Sequence, residues 1–240
     1  MAIKGILFDL YGTLIDIETD EGMDEIYRSI AHFLTYEGMN LHRWEVKDGY
    51  WRILKHQKDK SGEKFPEIDV EAIWNSFLRE QGMESSHDRK RLSTILSYLH
   101  RGISRKRMQL YPEVLRVLDE LRSGYSLGIV SDAQPCFSLP EIRAVGLHEY
   151  FDPVVISGYH GYRKPDSRLF EKALDHMKLK PSQVIYVGND MYRDIHGANR
   201  VGIKTIFVDS NQGEKSCENV KPDYFASRFE DVLKGIEALS

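Results

Sequence analysis

The stretch Ile3-Lys-Gly-Ile-Leu-Phe-Asp-Leu-Tyr-Gly-Thr-Leu14 decides the reading of this chain. A short apolar run, residues 3–8, ends on a carboxylate, followed closely by a glycine and a hydroxyl. Four further Val- and Ile-rich runs follow at residues 127–130, 154–156, 184–187 and 203–208. Several are continuous rather than alternating, as strands are when both faces of a parallel sheet are covered. Helical stripes separate the later runs. Val114, Leu115, Val117, Leu118 and Leu121 form one, near Pro112. Leu169, Phe170, Ala173, Leu174 and Met177 form a second, after Pro165-Asp166. Residues 191–201 form a shorter third, closed by Gly202. Strand alternating with helix predicts an open α/β fold with right-handed crossovers.

One interval breaks the alternation. Between the first run and Pro112 the pattern shows no strand, but helical candidates at residues 23–36, 44–56, 70–81 and 87–100, with a polar loop at 58–66. This predicts a helical domain, residues 15–107, inserted into a discontinuous core of residues 1–14 and 108–240. Trp44, Trp51 and Trp74 within it read as helix core or as an interface. A helix is expected over residues 229–239.

Composition narrows the function classes. With 240 residues and 41% hydrophobic content, the chain can bury a core and an inserted module. Lys and Arg number 33 against 37 Asp and Glu, and no basic aromatic stripe exists, which argues against nucleic acid or an anionic membrane as partner. No run approaches the length of a membrane span. The first apolar run meets Asp9 too soon to read as a signal peptide. Cys136 and Cys217 are far apart, and no histidines stand at zinc spacing, so neither a disulfide scaffold nor a zinc site organises the fold. A cytoplasmic location is expected.

In open α/β sheets ligands bind beyond the carboxyl ends of the strands. There the sequence places Asp9, Tyr11, Gly12 and Thr13; then Ser131 and Asp132; then Arg163 and Lys164; then Asn189, Asp190 and Asp194. Singly, each has a plain role as turn former, cap or surface charge. Together they form one site suited to substitution through a covalent aspartate. Asp190 and Asp194, four apart on a helix, share a face and call for a counter-ion. A hydrated Mg²⁺ with oxygen ligands supplies one. Thr13 and Ser131 offer hydroxyl donors, and Gly12 lets the backbone turn closely around the reacting atom.

These segments resemble the haloacid dehalogenase-like hydrolase superfamily, whose four motifs appear in order: Asp9-Leu-Tyr-Gly-Thr13, Ile-Val-Ser131-Asp, Arg163-Lys164-Pro-Asp-Ser-Arg and Tyr-Val-Gly188-Asn-Asp-Met-Tyr-Arg-Asp194. The resemblance implies a Rossmann-like core with a helical cap inserted after the first motif, closing over the site. It implies Asp9 as nucleophile, with Lys164 and Ser131 holding the substrate anion beside Tyr11, Gly12, Thr13 and Asp132. Magnesium would take ligands from Asp9, the Tyr11 backbone carbonyl, Asn189, Asp190 and Asp194.

Two departures bear on the reaction. Phosphatases of this family usually carry a second aspartate, a general acid and base, where this chain has Tyr11. The fourth motif usually begins Gly-Asp, where this chain has Asn189. Tyrosine at position 11 is characteristic of 2-haloacid dehalogenases, which need no metal. Their other marks are missing: Asn189 and Met191 replace a Ser-x-Asn arrangement, Phe170 replaces a tyrosine, and Arg52 lacks the pattern around their cap arginine. The expectation is a Mg²⁺-dependent phosphatase acting on a small phosphorylated or otherwise anionic metabolite. The alternatives are a metal-free dehalogenase and a slow or non-catalytic binding member. Oligomeric state is left open.

Overall fold

The computed structural model describes residues 2–240; Met1, the first residue of the expected core, lies outside them. Strands β1 (Gly5–Phe8), β4 (Ser126–Ser131), β5 (Val154–Ile156), β6 (Val184–Gly188), β7 (Lys204–Val208) and β8 (Tyr224–Ala226) form a parallel sheet in the order β5-β4-β1-β6-β7-β8. The expected α/β class is therefore observed. Every residue of the central strand β1 is buried, which explains its unbroken apolar run. Its side chains alternate between two cores. Ile6 and Phe8 join helices α5 (Val114–Leu121) and α9 (Val232–Leu239), whereas Leu7 joins α7 (Ser167–Met177) on the other face. From β1 the chain fills one side of the sheet, then crosses to the other. The carboxyl end of β1 therefore lies where the strand order reverses, the usual ligand position.

Four helices stand between β1 and α5: α1 (Asp24–Tyr36), α2 (Arg43–Lys60), α3 (Val70–Glu80) and α4 (Ser86–Ser104). They share an apolar cluster around Tyr27, Ile30, Trp74 and Phe77. Asp69 and Ser85 cap α3 and α4 by accepting the amides of Ala72 and Asp88. Phe137, from α6 (Pro135–Ala144) of the sheet layer, also enters this cluster.

The interval is not free of strands, which corrects the sequence expectation. β2 (Ile15–Thr19) and β3 (Arg105–Leu110) pair antiparallel, from Ile15 opposite Leu110 to Thr19 opposite Arg105. Each carries only two apolar residues in alternation, Ile15 and Ile17 against Met108 and Leu110, too few to stand out as a period. Cross-strand charge strengthens the ladder: Arg107 reaches Asp16 at 3.0 Å and Glu18 at 3.1 Å. The two chain crossings into the helical interval are thus one ribbon.

Other boundaries moved for local reasons. α2 continues through Gln57-Lys-Asp-Lys60 because Gln57, Lys58 and Lys60 are good helix formers, and polarity alone does not end a helix. Strand β8 and helix α6 were not anticipated; Pro140 inside α6 obscures its pattern. The expected helix at 191–201 is a π-helical turn, Met191–His196, followed by α8 (Gly197–Val201), with Gly202 in the left-handed conformation at its end. Among the described residues no helix is long and apolar enough to cross a membrane.

Candidate active site

Asp9 leaves the end of β1, Ser131 ends the neighbouring β4, and Asn189 follows β6 on the other side. Lys164, from the loop before α7, reaches under all three. Its ammonium lies 2.7 Å from Asp9 Oδ1, 2.6 Å from Asp194 Oδ1, 3.0 Å from the Tyr186 hydroxyl and 3.2 Å from the Val130 carbonyl. Asp9 is 6% exposed, Lys164 3% and Asp194 1%, so these charges lie almost wholly out of water. Burial alone would lower the lysine's pKa, but the carboxylates of Asp194 and Asp9 outweigh it and hold the ammonium charged above its usual range. The other oxygen of Asp194 accepts the amides of Asn189 and Asp190, both at 3.0 Å. Asp194 thereby fixes the lysine and the start of the π turn together.

Asp9 Oδ2 is much freer. It accepts only a long 3.4 Å bond from Thr13, whose hydroxyl lies closer, at 3.1 Å, to the amide oxygen of Asn189. Gly12 and Gly213 hold that amide between them. Both have positive φ, +86° and +78°, and a β-carbon at either would run into Asn189. Asp190 turns onto its own helix start. It accepts the amides of Tyr192 at 3.0 Å and Arg193 at 2.8 Å, the Arg193 guanidinium and the amide of Glu214. Burial would raise its pKa, but the Arg193 contacts prevail and hold it below the usual carboxylate range.

The Ser131 hydroxyl is buried and has no hydrogen-bond partner among the described residues. Buried polar atoms are ordinarily paired, so this hydroxyl is free for a ligand. The adjoining Asp132 accepts the Lys164 amide at 2.8 Å and so positions the lysine loop.

Tyr11 belongs to a second cluster that the sequence did not reveal. Its hydroxyl donates to Glu141 of α6, and the same carboxylate receives Arg101 of α4 at 2.7 and 3.1 Å. Arg101 also lies over the Tyr11 ring, 5.5 Å from its centre, and 3.6 Å from Glu21. Burial, reinforced by Glu141, pushes the phenol far above its ordinary pKa. Arg52, the sequence candidate for a dehalogenase arginine, instead forms an exposed ion pair with Glu80 on the helical surface.

A strap between α2 and α3 is sewn to the lysine loop. The Glu67 amide donates to the Gly161 carbonyl at 3.0 Å, and the Arg163 amide to the Phe65 carbonyl at 2.9 Å. Ser157 donates to the Glu67 carboxylate at 2.7 Å, and Gln134 bonds Ile68 and Val70. A cavity of about 490 Å³ opens between α2, this strap, α6 and the loops carrying Tyr11 and Asp132.

Could these residues hold magnesium? Among the described residues, no three His, Cys, Asp or Glu side chains gather as a metal site. Asp194 and Asp190 have their oxygens engaged as described. The Asp9 carboxylate, the Asn189 amide oxygen and the Tyr11 carbonyl remain as hard oxygen donors, the type Mg²⁺ prefers. The donor chemistry fits, with one carboxylate carrying the charge.

The family model for haloacid dehalogenase-like hydrolases matches residues 3–202. The chain belongs to this family. A haloacid dehalogenase-like hydrolase from Pyrococcus furiosus, named glyceraldehyde 3-phosphate phosphatase, is 32% identical over 98% of this chain and 93% of its own. A protein of the same name from Methanocaldococcus jannaschii is 25% identical over 99% and 98%. The solved 2-haloacid dehalogenase from Pseudomonas syringae superposes with a TM-score of 0.72 at 21% identity, over 99% of this chain and all of that one. That likeness shows the shared fold. The chain is a hydrolase of the superfamily, and its phosphatase-named relatives favour a phosphatase over a dehalogenase.

Among the participants that escaped sequence reading are Tyr186, Arg101 and Glu141. Tyr186 carried a visible signal, a phenol inside a central strand two residues before Gly188. Glu141 carried none, since nothing local in α6 ties it to Tyr11, 130 positions away.

Proposed function

We propose that this hydrolase cleaves a phosphomonoester through an aspartyl-phosphate intermediate on Asp9, with Mg²⁺ as cofactor. The observation that carries the reading is the buried Asp9–Lys164 pair beside the unpartnered hydroxyl of Ser131. Lys164 takes one oxygen of Asp9 and leaves Oδ2 to attack. As Oδ2 bonds to phosphorus, the bond from phosphorus to the leaving oxygen breaks, and that oxygen takes a proton from water. Water then attacks the phosphorus, its proton passes to solvent, and the bond to Asp9 breaks to release inorganic phosphate. Lys164 and the Ser131 hydroxyl offset the charge on the phosphoryl oxygens. Held by Asp9, the Tyr11 carbonyl and Asn189, Mg²⁺ would add positive charge there. In this reading Asp194 positions Lys164, and Asp190 serves the helix start. Thr13 and Gly12 hold the nucleophile loop, and Asp132 holds the lysine loop.

Tyr11 does not act as the acid or base in this scheme. Its hydroxyl is engaged in a hydrogen bond to Glu141 and its pKa is raised, so leaving groups that depart without protonation are favoured. The relatives' names support a small phosphorylated substrate. We assign residues 1–14 and 108–240 to the catalytic core and 15–107 to a cap that covers the site. The free Cys136 and Cys217 suit a reducing cytoplasm.

Phosphate release from a panel of phosphomonoesters, with Mg²⁺ and with chelator, tests the proposal. Turnover should require the metal and fall at least ~10⁴-fold in Asp9→Asn. Undiminished turnover in that variant would remove Asp9 as nucleophile. Chelator-insensitive halide release from 2-chloropropionate would establish the dehalogenase reading that Tyr11 keeps open. Ligand binding without turnover on either panel would establish a binding member.

A further inference from the structure

The cavity beside Tyr11 and Asp132 differs from the anion site in one respect: most of its charged lining is already paired. Arg101 is held by Glu141. Glu21 pairs with His100 and receives Ser104. Glu67 accepts Ser157 and the Ile68 amide, Asp132 accepts the lysine-loop amide, and Arg163 leans on Asp132 at 3.4 Å. Gln134 spends both ends of its amide on the strap. Beside these groups stands an apolar wall: Trp51 and Leu54 of α2, Ile68 of the strap and Phe137 of α6. Trp51 is 39% exposed, although the sequence read it as core or interface. Its ring is braced edge-on by Tyr50, centroids 5.6 Å apart, and Tyr50 in turn packs on the buried Trp74 at 4.8 Å. A flat wall backed this way gains most from a flat apolar partner.

We propose that the phosphomonoester carries an apolar, aromatic leaving group, and that Trp51 is the residue that selects it. The inference rests on the phosphatase reading above and names its substrate class. A cavity of about 490 Å³ falls in the range that accepts whole drug-sized ligands, far more than a three-carbon polyol needs. A polyol body laid on that wall would turn its hydroxyls to hydrocarbon, and each hydrogen bond lost to water would count against it. The blocked Tyr11 points the same way, because an aryl oxygen leaves without an acid more readily than an alkyl one.

Binding of phosphonates, which cannot be hydrolysed, tests this apart from catalysis. Titration calorimetry in Mg²⁺ should give benzylphosphonate a Kd at least tenfold below that of 3-hydroxypropylphosphonate. The ratio should fall below threefold in Trp51→Ala and be restored in Trp51→Phe. Trp44→Ala, at an exposed tryptophan outside the cavity, should leave it unchanged. A ratio near one in the unaltered protein, or one that survives Trp51→Ala, overturns the assignment whichever way the turnover test of Asp9→Asn falls. Loss of turnover control by Asp9 with the ratio intact would overturn the phosphatase chemistry and leave the pocket assignment standing.

Discussion

Two buried charge clusters meet the loop of residues 9–13, and they are assembled differently. The Lys164 cluster draws Asp9 from the end of β1, Tyr186 from inside β6 and Asp194 from the π turn that follows β6. The Arg101 cluster joins α4 of the helical interval to α6 and Tyr11 of the sheet layer, with Glu21 at its far side. The first holds the groups that could react; the second holds two parts of the molecule in register. In the proposed mechanism, similar ingredients, a cation between carboxylates out of water, thus serve chemistry in one place and assembly in the other.

The difference can be broken most directly at Lys164. Lys164→Met leaves Asp9 and Asp194 uncompensated, so stability should drop by about 3–5 kcal/mol in urea unfolding. Turnover should fall about 10³-fold at saturating substrate. Retention of full kcat would mean the lysine only fills space. Next in size is Tyr11→Asp, which restores an acid to the loop with Arg101 in place to offset its charge. Phosphomonoester turnover should rise about 10²-fold, most for alkyl substrates. No rise would show that protonation of the leaving group does not limit the rate.

Arg101→Met tests the assembling cluster. It strands the Glu141 carboxylate, so unfolding should cost about 2–3 kcal/mol less. KM should rise more than kcat falls, because the reacting groups stay in place. A kcat loss as large as that of Lys164→Met would erase the distinction between the clusters. The smallest effect concerns Asp190. Its pKa is depressed in the folded state, so its contribution is present above the unfolded value near 4 and lost as pH falls through the folded one. Asp190→Asn should lower stability at pH 7 and flatten the decline below about pH 4. Denaturant midpoints across that range decide it, and an unchanged acid limb would remove the residue from the account.

The first cluster was largely legible in the sequence because Asp9, Lys164 and Asp194 come in segments that follow apolar runs, and strand ends are local features; Tyr186, inside a run, was the exception. The second was not. Glu141 sits in a helix obscured by Pro140, and Arg101 looks like any charge on a helical surface. Their partnership depends on packing between helices far apart in the chain, which no period encodes. The ribbon of β2 and β3 was hidden by brevity, with two apolar residues to a strand. Asp190 shows the opposite error. Its spacing from Asp194 suggested a shared cation, whereas the backbone places it as a cap with Arg193 as its counter-charge.

The strap at residues 65–68 has a consequence for anyone recombining these enzymes. The helical interval enters and leaves through a single ribbon, which invites its exchange as a cassette. Yet its loop is sewn to Ser157, Gly161 and Arg163, in the segment that leads into Lys164. A helical unit transplanted without those positions would arrive with its seam unmatched and would perturb the lysine loop. Modularity in this chain therefore ends at the strap: the helical unit and the loop that carries the ammonium must be exchanged as one.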